Sequence, residues 1–335
     1  MNRTLNWGLL STARINRALI KPLRASKRTR LLGVASRSLS NAQAYAREWD
    51  IPRAYGSYDD LLNDPEIDII YNPLPNHLHA GWTIKALKAG KHVLCEKPLA
   101  LSLEEVDEII AASKETGRIA TEAFMYRHHE QTLKVKALTE EGAIGKLQLI
   151  RGAFTFTLAR EGNYRFVKEY GGGSLWDVGC YPVSYARMIV GAEPAEVFGW
   201  QVAGAALSES RDPGGYDESF YGQARFENGA ILQFDCGFKS QIRTFIEIVG
   251  SEGTIHIPNP FKPGLKNEIH LKRGDREETL KIAGSEPYRG EVEDMRDAIL
   301  NNAPPRISLA DSRGNTAVLL SLLESAKLGA PIRLR

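Results

Sequence analysis

Helix-like and strand-like hydrophobic patterns alternate along roughly the first 120 residues of the chain. Amphipathic stretches predict helices, with Ser57 and Ser102 starting capping-box sequences at two of them. Short apolar runs bounded by turn residues predict strands at 5–10, 30–35, 67–71, 92–95 and 119–123. The predicted helices cover 15–25, 40–49, 76–88 and 102–116, with a short one opening at 57. Strands that alternate with helices indicate an α/β domain with a parallel, doubly wound sheet.

From about residue 147 the apolar period shortens to two, which is typical of half-buried strands. Helices are predicted near 178–190 and over 310–328, and hairpin turns at 227–230 and 251–254. The predicted strands are 147–158, 195–202, 219–226, 231–238, 244–249 and 254–257. This half is therefore expected to be an α+β domain on a large, mostly antiparallel sheet. We expect two domains, 1–123 and 124–335, with the last helix a candidate for packing back on the first.

The composition argues against several kinds of partner. The 335-residue chain has a net charge of +2, which provides no broad attraction to nucleic acid or to an anionic membrane. It contains no run of about 18 apolar residues, so no transmembrane helix is expected. The first residues lack the apolar segment of a secretory signal, and only three cysteines occur. These features predict a cytoplasmic protein without a disulfide framework, and no histidine spacing fits a metal site.

The turn after the first predicted strand is where a dinucleotide-binding domain carries G-x-G-x-x-G. All three glycine positions are substituted in this chain. Ser11 and Ala13 are small enough for close approach of a pyrophosphate, and Thr12 adds a hydroxyl donor. The aligned run is Ser11-Thr12-Ala13-Arg14-Ile15-Asn16. The turn is therefore compatible with a nucleotide site over residues 11–15, although the motif does not establish one.

The second predicted strand ends in Ser36-Arg37-Ser38, about twenty residues beyond that turn. An NAD site carries Asp or Glu at this place to hold the ribose 2′-hydroxyl, and that carboxylate would repel a 2′-phosphate. Ser36 and Arg37 offer a hydroxyl and a guanidinium instead, which suit phosphate, and Ser38 extends the candidate set. A solvated arginine with no ligand is the open alternative. If a nucleotide binds, these residues favour NADP over NAD.

A stiff loop with two prolines follows the strand at 67–71. Asn76 is predicted to cap the next helix, and His79 lies in its first turn, beside the ligand edge of the sheet. A purely structural cap is the open alternative for Asn76. The candidates for cofactor contact in this loop are Pro73, Leu74, Asn76 and His79.

Lys97 directly follows the strand 92–95, at the strand end where open α/β sheets bind ligands. A desolvated ammonium is costly there without a partner or a task, and Glu96 beside it is a further candidate for cofactor contact. Asp177 and Tyr181 are spaced by one helical turn, so both can face one site. A lysine, a carboxylate and a phenol suggest redox chemistry between alcohol and carbonyl. The open alternatives are that Asp177 caps a helix beginning near residue 178 and that Tyr181 is a buried aromatic.

Several motifs of the chain resemble, in order, those of the glucose–fructose oxidoreductase/inositol dehydrogenase (Gfo/Idh/MocA) family. The resemblance is greatest to the branch of dimeric dihydrodiol dehydrogenase and NADP-dependent D-xylose dehydrogenase, and it spans nearly the whole chain. It implies an N-terminal Rossmann domain, with Lys97 as the catalytic lysine, Tyr181 as the acid/base and Asp177 as a third catalytic group. The motifs are W-G-L-L-S-T-A-R-I, N-P-L-P-N-H-L-H, A-G-K-H-V-L-C-E-K-P, E-A-F-M-Y-R and G-G-G-S-L-W-D-V-G-C-Y-P-V.

The expected activity is NADP-dependent hydride transfer to or from a secondary alcohol or carbonyl of a sugar, polyol or cyclic diol. A base must take the hydroxyl proton as the hydride leaves, and a lysine cation beside Tyr181 would favour its phenolate. Arg127, Asn163 and Arg165 are candidates for substrate contact, although surface salt bridges explain them almost as well. A catalytically silent NADP-binding regulator is the alternative. An epimerase or glycosidase with tightly held NAD is disfavoured by Arg37.

The strands of the second half carry more aromatic residues than a single layer of packed helices would bury. The examples are Phe154 and Phe156 on one strand, and Phe234 and Phe238 on another. Such apolar surface usually marks an interface. We therefore expect a homodimer or homotetramer formed through the second sheet.

Overall fold

The computed structural model describes residues 3–159, 162–204 and 215–334. The chain forms two compact units: Met1–Met125 with Tyr288–Arg313, and Tyr126–Pro287 with Gly314–Arg335. The expected boundary after residue 123 lies close to the first junction. The second half is not one domain, however, because residues 288–313 belong to the first unit. No helix in the described part of the chain is long and apolar enough to cross a membrane.

The first unit is built on a six-stranded parallel sheet with the strand order β3-β2-β1-β4-β5-β6. This is the order of a Rossmann domain, and it confirms the doubly wound sheet expected from the sequence. The strands are β1 Leu5–Leu10, β2 Thr29–Ala35, β3 Arg53–Tyr55, β4 Ile69–Asn72, β5 His92–Glu96 and β6 Ala120–Ala123. The helices that connect them are α1 Asn16–Ala25, α2 Leu39–Glu48, α3 Tyr58–Asn63, α4 His79–Lys88 and α5 Leu103–Thr116.

Two apolar clusters cover the two faces of this sheet. Successive strand residues alternate between them, so that Ile70 lies in one cluster and Ile69 in the other. A later helix completes the second cluster: it is α8, Arg289–Asn301, and it contacts α1. Its residues Val292 and Met295, one turn apart, are fully buried in that cluster. This packing is the physical reason why residues 288–313 belong with the first unit.

The second unit contains a nine-stranded sheet in which β7 and β10 are parallel neighbours and the other pairs are antiparallel. The sheet order is β14-β13-β12-β11-β7-β10-β9-β8-β15. The strands are β7 Leu147–Thr157, β8 Pro194–Ala203, β9 Asp217–Phe226, β10 Ile231–Gly237, β11 Lys239–Gly250, β12 Thr254–Ile257, β13 Lys266–Arg273, β14 Arg276–Ala283 and β15 Ile332–Arg333. The helices are α6 Glu130–Glu140, α7 Cys180–Val190 and, starting in the first unit, α9 Leu309–Leu328.

Several elements lie outside the predicted ones, namely α6, α8 and the strands β3, β13, β14 and β15. The hairpin β13–β14 stands at the edge of the sheet, and β14 is exposed along most of its length. The edge strand β14 therefore begins with the charged residues Arg276, Glu277 and Glu278, whereas β13 lies one strand further in and does alternate, with Ile269 and Leu271 buried. The edge position explains why the pattern does not reveal β14.

The two faces of the second sheet differ from the sequence expectation. Phe154, Phe234 and Phe238 are all buried, and Phe156 packs against two of these rings, so these aromatics belong to the core side. Other aromatic residues lie on the opposite face, among them Trp200 and Tyr221, which are 55% and 48% exposed and pair directly across β8 and β9. The phenylalanines were therefore the wrong basis for expecting an interface, because alternation places them all inward.

Candidate functional site

Ser11 directly follows β1 and shapes the first strand–helix loop. Its φ of 89° lies in the left-handed region that favours glycine. Its N–H donates to Ala35 O at 3.0 Å, and its carbonyl accepts from Asn16 Nδ2 at 2.8 Å. The Ser11 hydroxyl is buried and has no hydrogen-bond partner within the described residues. A buried hydroxyl of this kind is suited to bind a ligand oxygen, which would satisfy it.

The loop after β1 and the end of β2 line one cavity of about 570 Å³. No lining residue is a carboxylate, and within the described part of the chain no ion pair engages the exposed Arg37. Its charge reaches Tyr58, where burial raises the pKa of the phenol and the Arg37 cation opposes that rise. The lining residues are Ser11, Thr12, Ala13, Ser36, Arg37, Ser38, Asn41 and Tyr58. Hydroxyls, a guanidinium and no carboxylate fit an NADP 2′-phosphate.

The structure thus brings together six of the predicted cofactor residues. Arg14 and Ile15 are not among the residues that line the cavity: Arg14 is exposed, and half-buried Ile15 precedes α1 and packs against an apolar cluster. Asn41 and Tyr58 join the site without having been predicted. Each lies on a helix that follows its strand, so only the folded sheet brings it to the loop.

The loop after β4 is held by a buried asparagine that sequence reasoning missed. Asn72 donates through Nδ2 to His79 O at 3.1 Å and to Thr83 Oγ1 at 3.2 Å. Asn76 was predicted to cap the next helix, and this is wrong: it begins a 3₁₀ turn whose cap residue is Pro75, and the cap residue of α4 is Leu78. Asn76 is buried in this turn. The loop's rigidity therefore comes from Asn72 as well as from its prolines.

His79 is 1% exposed and joins the β4 loop to the segment that follows Lys97. Its Nδ1 lies 2.6 Å from Pro98 O, and its Nε2 lies 2.6 Å from Leu74 O. Burial lowers the pKa of His79 to about 4, and the nearby Lys97 cation contributes to that shift. The imidazole is therefore neutral at physiological pH, and it donates its one proton to one of the two carbonyls.

The backbone around Lys97 is fixed on both sides. Glu96, the last residue of β5, accepts from the Tyr71 hydroxyl at 2.6 Å. The Leu99 N–H donates to Glu122 Oε1 at 2.9 Å. Burial raises the pKa of Tyr71, and the Glu96 carboxylate raises it further, so the phenol stays neutral and remains a donor. Tyr71 and Glu122 were not predicted, because nothing near Lys97 in the chain indicates them.

In the second unit Asp177 forms an ion pair with Arg165, with 2.8 Å between Oδ2 and Nε. The Arg165 N–H donates to Asn163 Oδ1 at 3.1 Å, so three predicted residues form one connected group. Asp177 lies inside a π-helical turn, Leu175–Gly179, and its N–H donates to Gly173 O. It is therefore not a helix cap, and this alternative reading of Asp177 is excluded.

Tyr181 lies in the first turn of α7 and is 6% exposed. Its ring packs among other aromatics, with centroids 5.3 Å from Phe154, 5.5 Å from Phe261 and 5.7 Å from Tyr126. Arg127 donates to Ser184 Oγ at 3.0 Å on the same helix. The aromatic cluster fixes the orientation of the Tyr181 phenol. Arg127 is buried beside α7.

Within the described residues no group of His, Cys, Asp or Glu is placed to hold a metal ion.

A Rossmann sheet, a carboxylate-free cavity at its first loop and a lysine at the end of β5 define a class: oxidoreductases with a dinucleotide-binding domain. Residues 5–124 match the oxidoreductase family with the NAD-binding Rossmann fold, and residues 132–256 match the GFO/IDH/MocA C-terminal domain. The chain belongs to the GFO/IDH/MocA family of oxidoreductases. The family resemblance of its motifs is thereby confirmed.

Relatives with named activities span nearly the whole chain. D-xylose 1-dehydrogenase (NADP(+)) 2 of Haloferax volcanii is 32% identical, with 98% of this chain and 99% of that protein covered. Trans-1,2-dihydrobenzene-1,2-diol dehydrogenase of Danio rerio is 31% identical, with 96% of each covered. The crystal structure of KijD10, a 3-ketoreductase from Actinomadura kijaniata in complex with NADP and TDP-benzene, matches with a TM-score of 0.89 and 27% identity, covering 96% of this chain and 98% of that one.

Proposed function

We propose that this protein is an NADP-dependent dehydrogenase or reductase acting on a secondary alcohol or carbonyl of a sugar, polyol or cyclic diol. The proposal rests on the strand order of the first sheet. In the run β1-β4-β5, the cavity-lining loop after β1 and Lys97 after β5 stand at the same edge of the sheet. Cofactor and reactive lysine can therefore meet at one edge. Relatives named for D-xylose, dihydrodiol and keto-sugar substrates support the substrate class.

Each proposed catalytic residue has one task at the substrate. NADP, when bound, supplies or accepts the hydride. Tyr181 takes the proton from the substrate hydroxyl during oxidation and returns it during reduction. Lys97 stabilises the negative charge that develops on the substrate oxygen. Asp177, oriented by Arg165, accepts a hydrogen bond from a neighbouring hydroxyl, and Asn163 and Arg127 complete the candidate substrate contacts.

A substrate screen tests this activity. Aldoses, inositols and vicinal diols, and the corresponding ketones, are each incubated with NADP(H) or NAD(H), and the nicotinamide absorbance is followed. We expect turnover with at least one polyhydroxylated substrate and a preference for NADP. If NADP binds but no substrate is turned over, the silent regulator is favoured, and the substituted glycines of the first loop are the feature that supports it.

Arg37→Ala should weaken NADP binding selectively. A charge-assisted contact to phosphate contributes about 1.5–3 kcal/mol, so the dissociation constant of NADP should rise roughly 10- to 150-fold while that of NAD changes little. Titration of both cofactors into the wild type and the variant measures this. Arg30→Ala, an exposed arginine at the other end of β2, is the matched control. Tighter binding of NAD than of NADP by the wild type would contradict the assignment.

We further propose that the outward face of the second sheet, around Trp200 and Tyr221, associates with a second copy of the chain. Exposed aromatics accompanied by arginines are typical of interface centres, and Arg151 and Arg243 lie on this face. Trp200→Glu should convert a dimer or tetramer at micromolar concentration into a monomer, measured by light scattering. Leu39→Glu, an exposed apolar position of the first unit, is the control. A monomeric wild type would rule this interface out.

A further inference from the structure

Asp217 is a buried carboxylate far in sequence from the residues it contacts. It is the first residue of β9 and is 3% exposed. Its Oδ2 accepts two hydrogen bonds, from Ser174 Oγ at 2.6 Å and from the Leu175 N–H at 2.7 Å. Leu175 begins the π-helical turn that leads into α7. The carboxylate therefore satisfies a backbone donor at the start of the helical segment that carries Asp177 and Tyr181.

The glycine-rich turn before this segment is shaped around the same carboxylate. Gly173 has a φ of 121°, and a Cβ placed on it would lie 2.3 Å from Asp217 Oδ1. Only glycine can adopt this backbone conformation and leave room for the carboxylate. The carbonyl of Gly173 in turn accepts from the Asp177 N–H at 3.1 Å. Asp217, Gly173 and Asp177 are thus linked by direct contacts within the second unit.

We propose that Asp217 is a positioning residue, which holds the start of this helical segment so that Asp177 and Tyr181 are presented correctly to the substrate. The inference rests on the proposed function for the roles of those two residues. Asp217 makes no contact with the reacting groups itself. It acts through the two hydrogen bonds at Ser174 and Leu175, which lie at the first turn of the segment, whereas the aromatic packing of Tyr181 lies further along it.

Asp217→Ala, Asp217→Asn and Ser174→Ala form a graded series. Alanine at 217 removes both hydrogen bonds, Ser174→Ala removes one, and asparagine keeps an acceptor oxygen for both. A displacement of about 1 Å in a catalytic group lowers turnover about 10²-fold. We expect a loss of that size in kcat for Asp217→Ala, a smaller loss for Ser174→Ala, substantial recovery with asparagine, and an unchanged dissociation constant for NADP.

Hydrogen exchange provides a measurement that needs no substrate. In Asp217→Ala the amides of residues 173–177 should exchange faster, while the last turns of α7 and the strand β10 keep wild-type protection. If the alanine variant does not fold, Ser174→Ala and Asp217→Asn still test the anchor. Wild-type kcat in Asp217→Ala, or unchanged protection of residues 173–177, would overturn the inference. A wild type without turnover would refute the proposed function, and the exchange rates would then still support or overturn the anchor.

Discussion

Replacing Lys97 with methionine should reduce turnover by about 10²–10³-fold while the protein still folds and binds NADP. Methionine keeps much of the length of the lysine side chain but removes its positive charge. Loss of electrostatic stabilisation of a developing oxyanion alone lowers the rate by about 10²–10³-fold. The backbone on both sides of Lys97 is held by hydrogen bonds that do not involve the lysine side chain, one between Tyr71 and Glu96 and one between Glu122 and Leu99. The end of the strand should therefore keep its shape.

Steady-state kinetics on the substrate found by screening, together with titration of NADP, measures the effect of Lys97→Met. The matched control is Lys88→Met, because Lys88 is an exposed lysine at the end of α4 in the same unit. The control should keep wild-type kcat. If Lys97→Met also kept near wild-type turnover, the proposed role of Lys97 would be wrong.

Tyr181→Phe should lower kcat by about 10²–10⁴-fold, which is the usual contribution of a general acid or base. The ring of Tyr181 packs against Phe154, Phe261 and Tyr126, and phenylalanine preserves that packing. The substitution therefore removes the hydroxyl that we propose exchanges the proton, with little effect on the free energy of unfolding. The loss should appear in kcat and in kcat/KM alike, because the proton moves in the transition state.

Tyr185→Phe is the control for this experiment. Tyr185 lies one turn further along α7, is fully buried and stacks on Tyr126, with centroids 5.6 Å apart. Its substitution should leave kcat near the wild-type value, measured under the same conditions. If Tyr181→Phe and Tyr185→Phe changed kcat equally, Tyr181 would have a packing role only. Its burial among aromatic rings leaves that alternative open.

Local patterns in the sequence predicted the parts of the fold that depend on neighbouring residues. The strand at 5–10 was predicted with the observed bounds, because its apolar residues are buried and the run ends at a turn. Ser57 and Ser102 each accept a hydrogen bond from the amide three residues on, as the capping-box sequences predicted. The predicted cap at Asn76 failed because a 3₁₀ turn there changes where the helix begins.

The catalytic candidates were found from short motifs, whereas the residues that hold them were not. Tyr71 reaches Glu96 across 25 residues, and Asp217 reaches Leu175 across 42. Tyr71 and Glu96 meet because β4 and β5 are neighbouring strands. Asp217 and Leu175 meet because the start of β9 lies beside the start of a helical turn. A single sequence carries no signal of such a pairing, because it depends on the register of the sheet. Motifs therefore pointed to the candidate reacting groups, whereas the residues that support them became visible only in the fold.

The contribution of α8 to the first sheet constrains the order in which this protein can fold during synthesis. The ribosome releases all six strands of that sheet long before Val292 and Met295 emerge, and those two side chains complete one of its apolar clusters. A nascent chain ending near residue 125 therefore exposes part of one face of the Rossmann sheet. The nucleotide-binding unit is completed only after the intervening residues of the second unit have been made, so the two units cannot mature strictly one after the other.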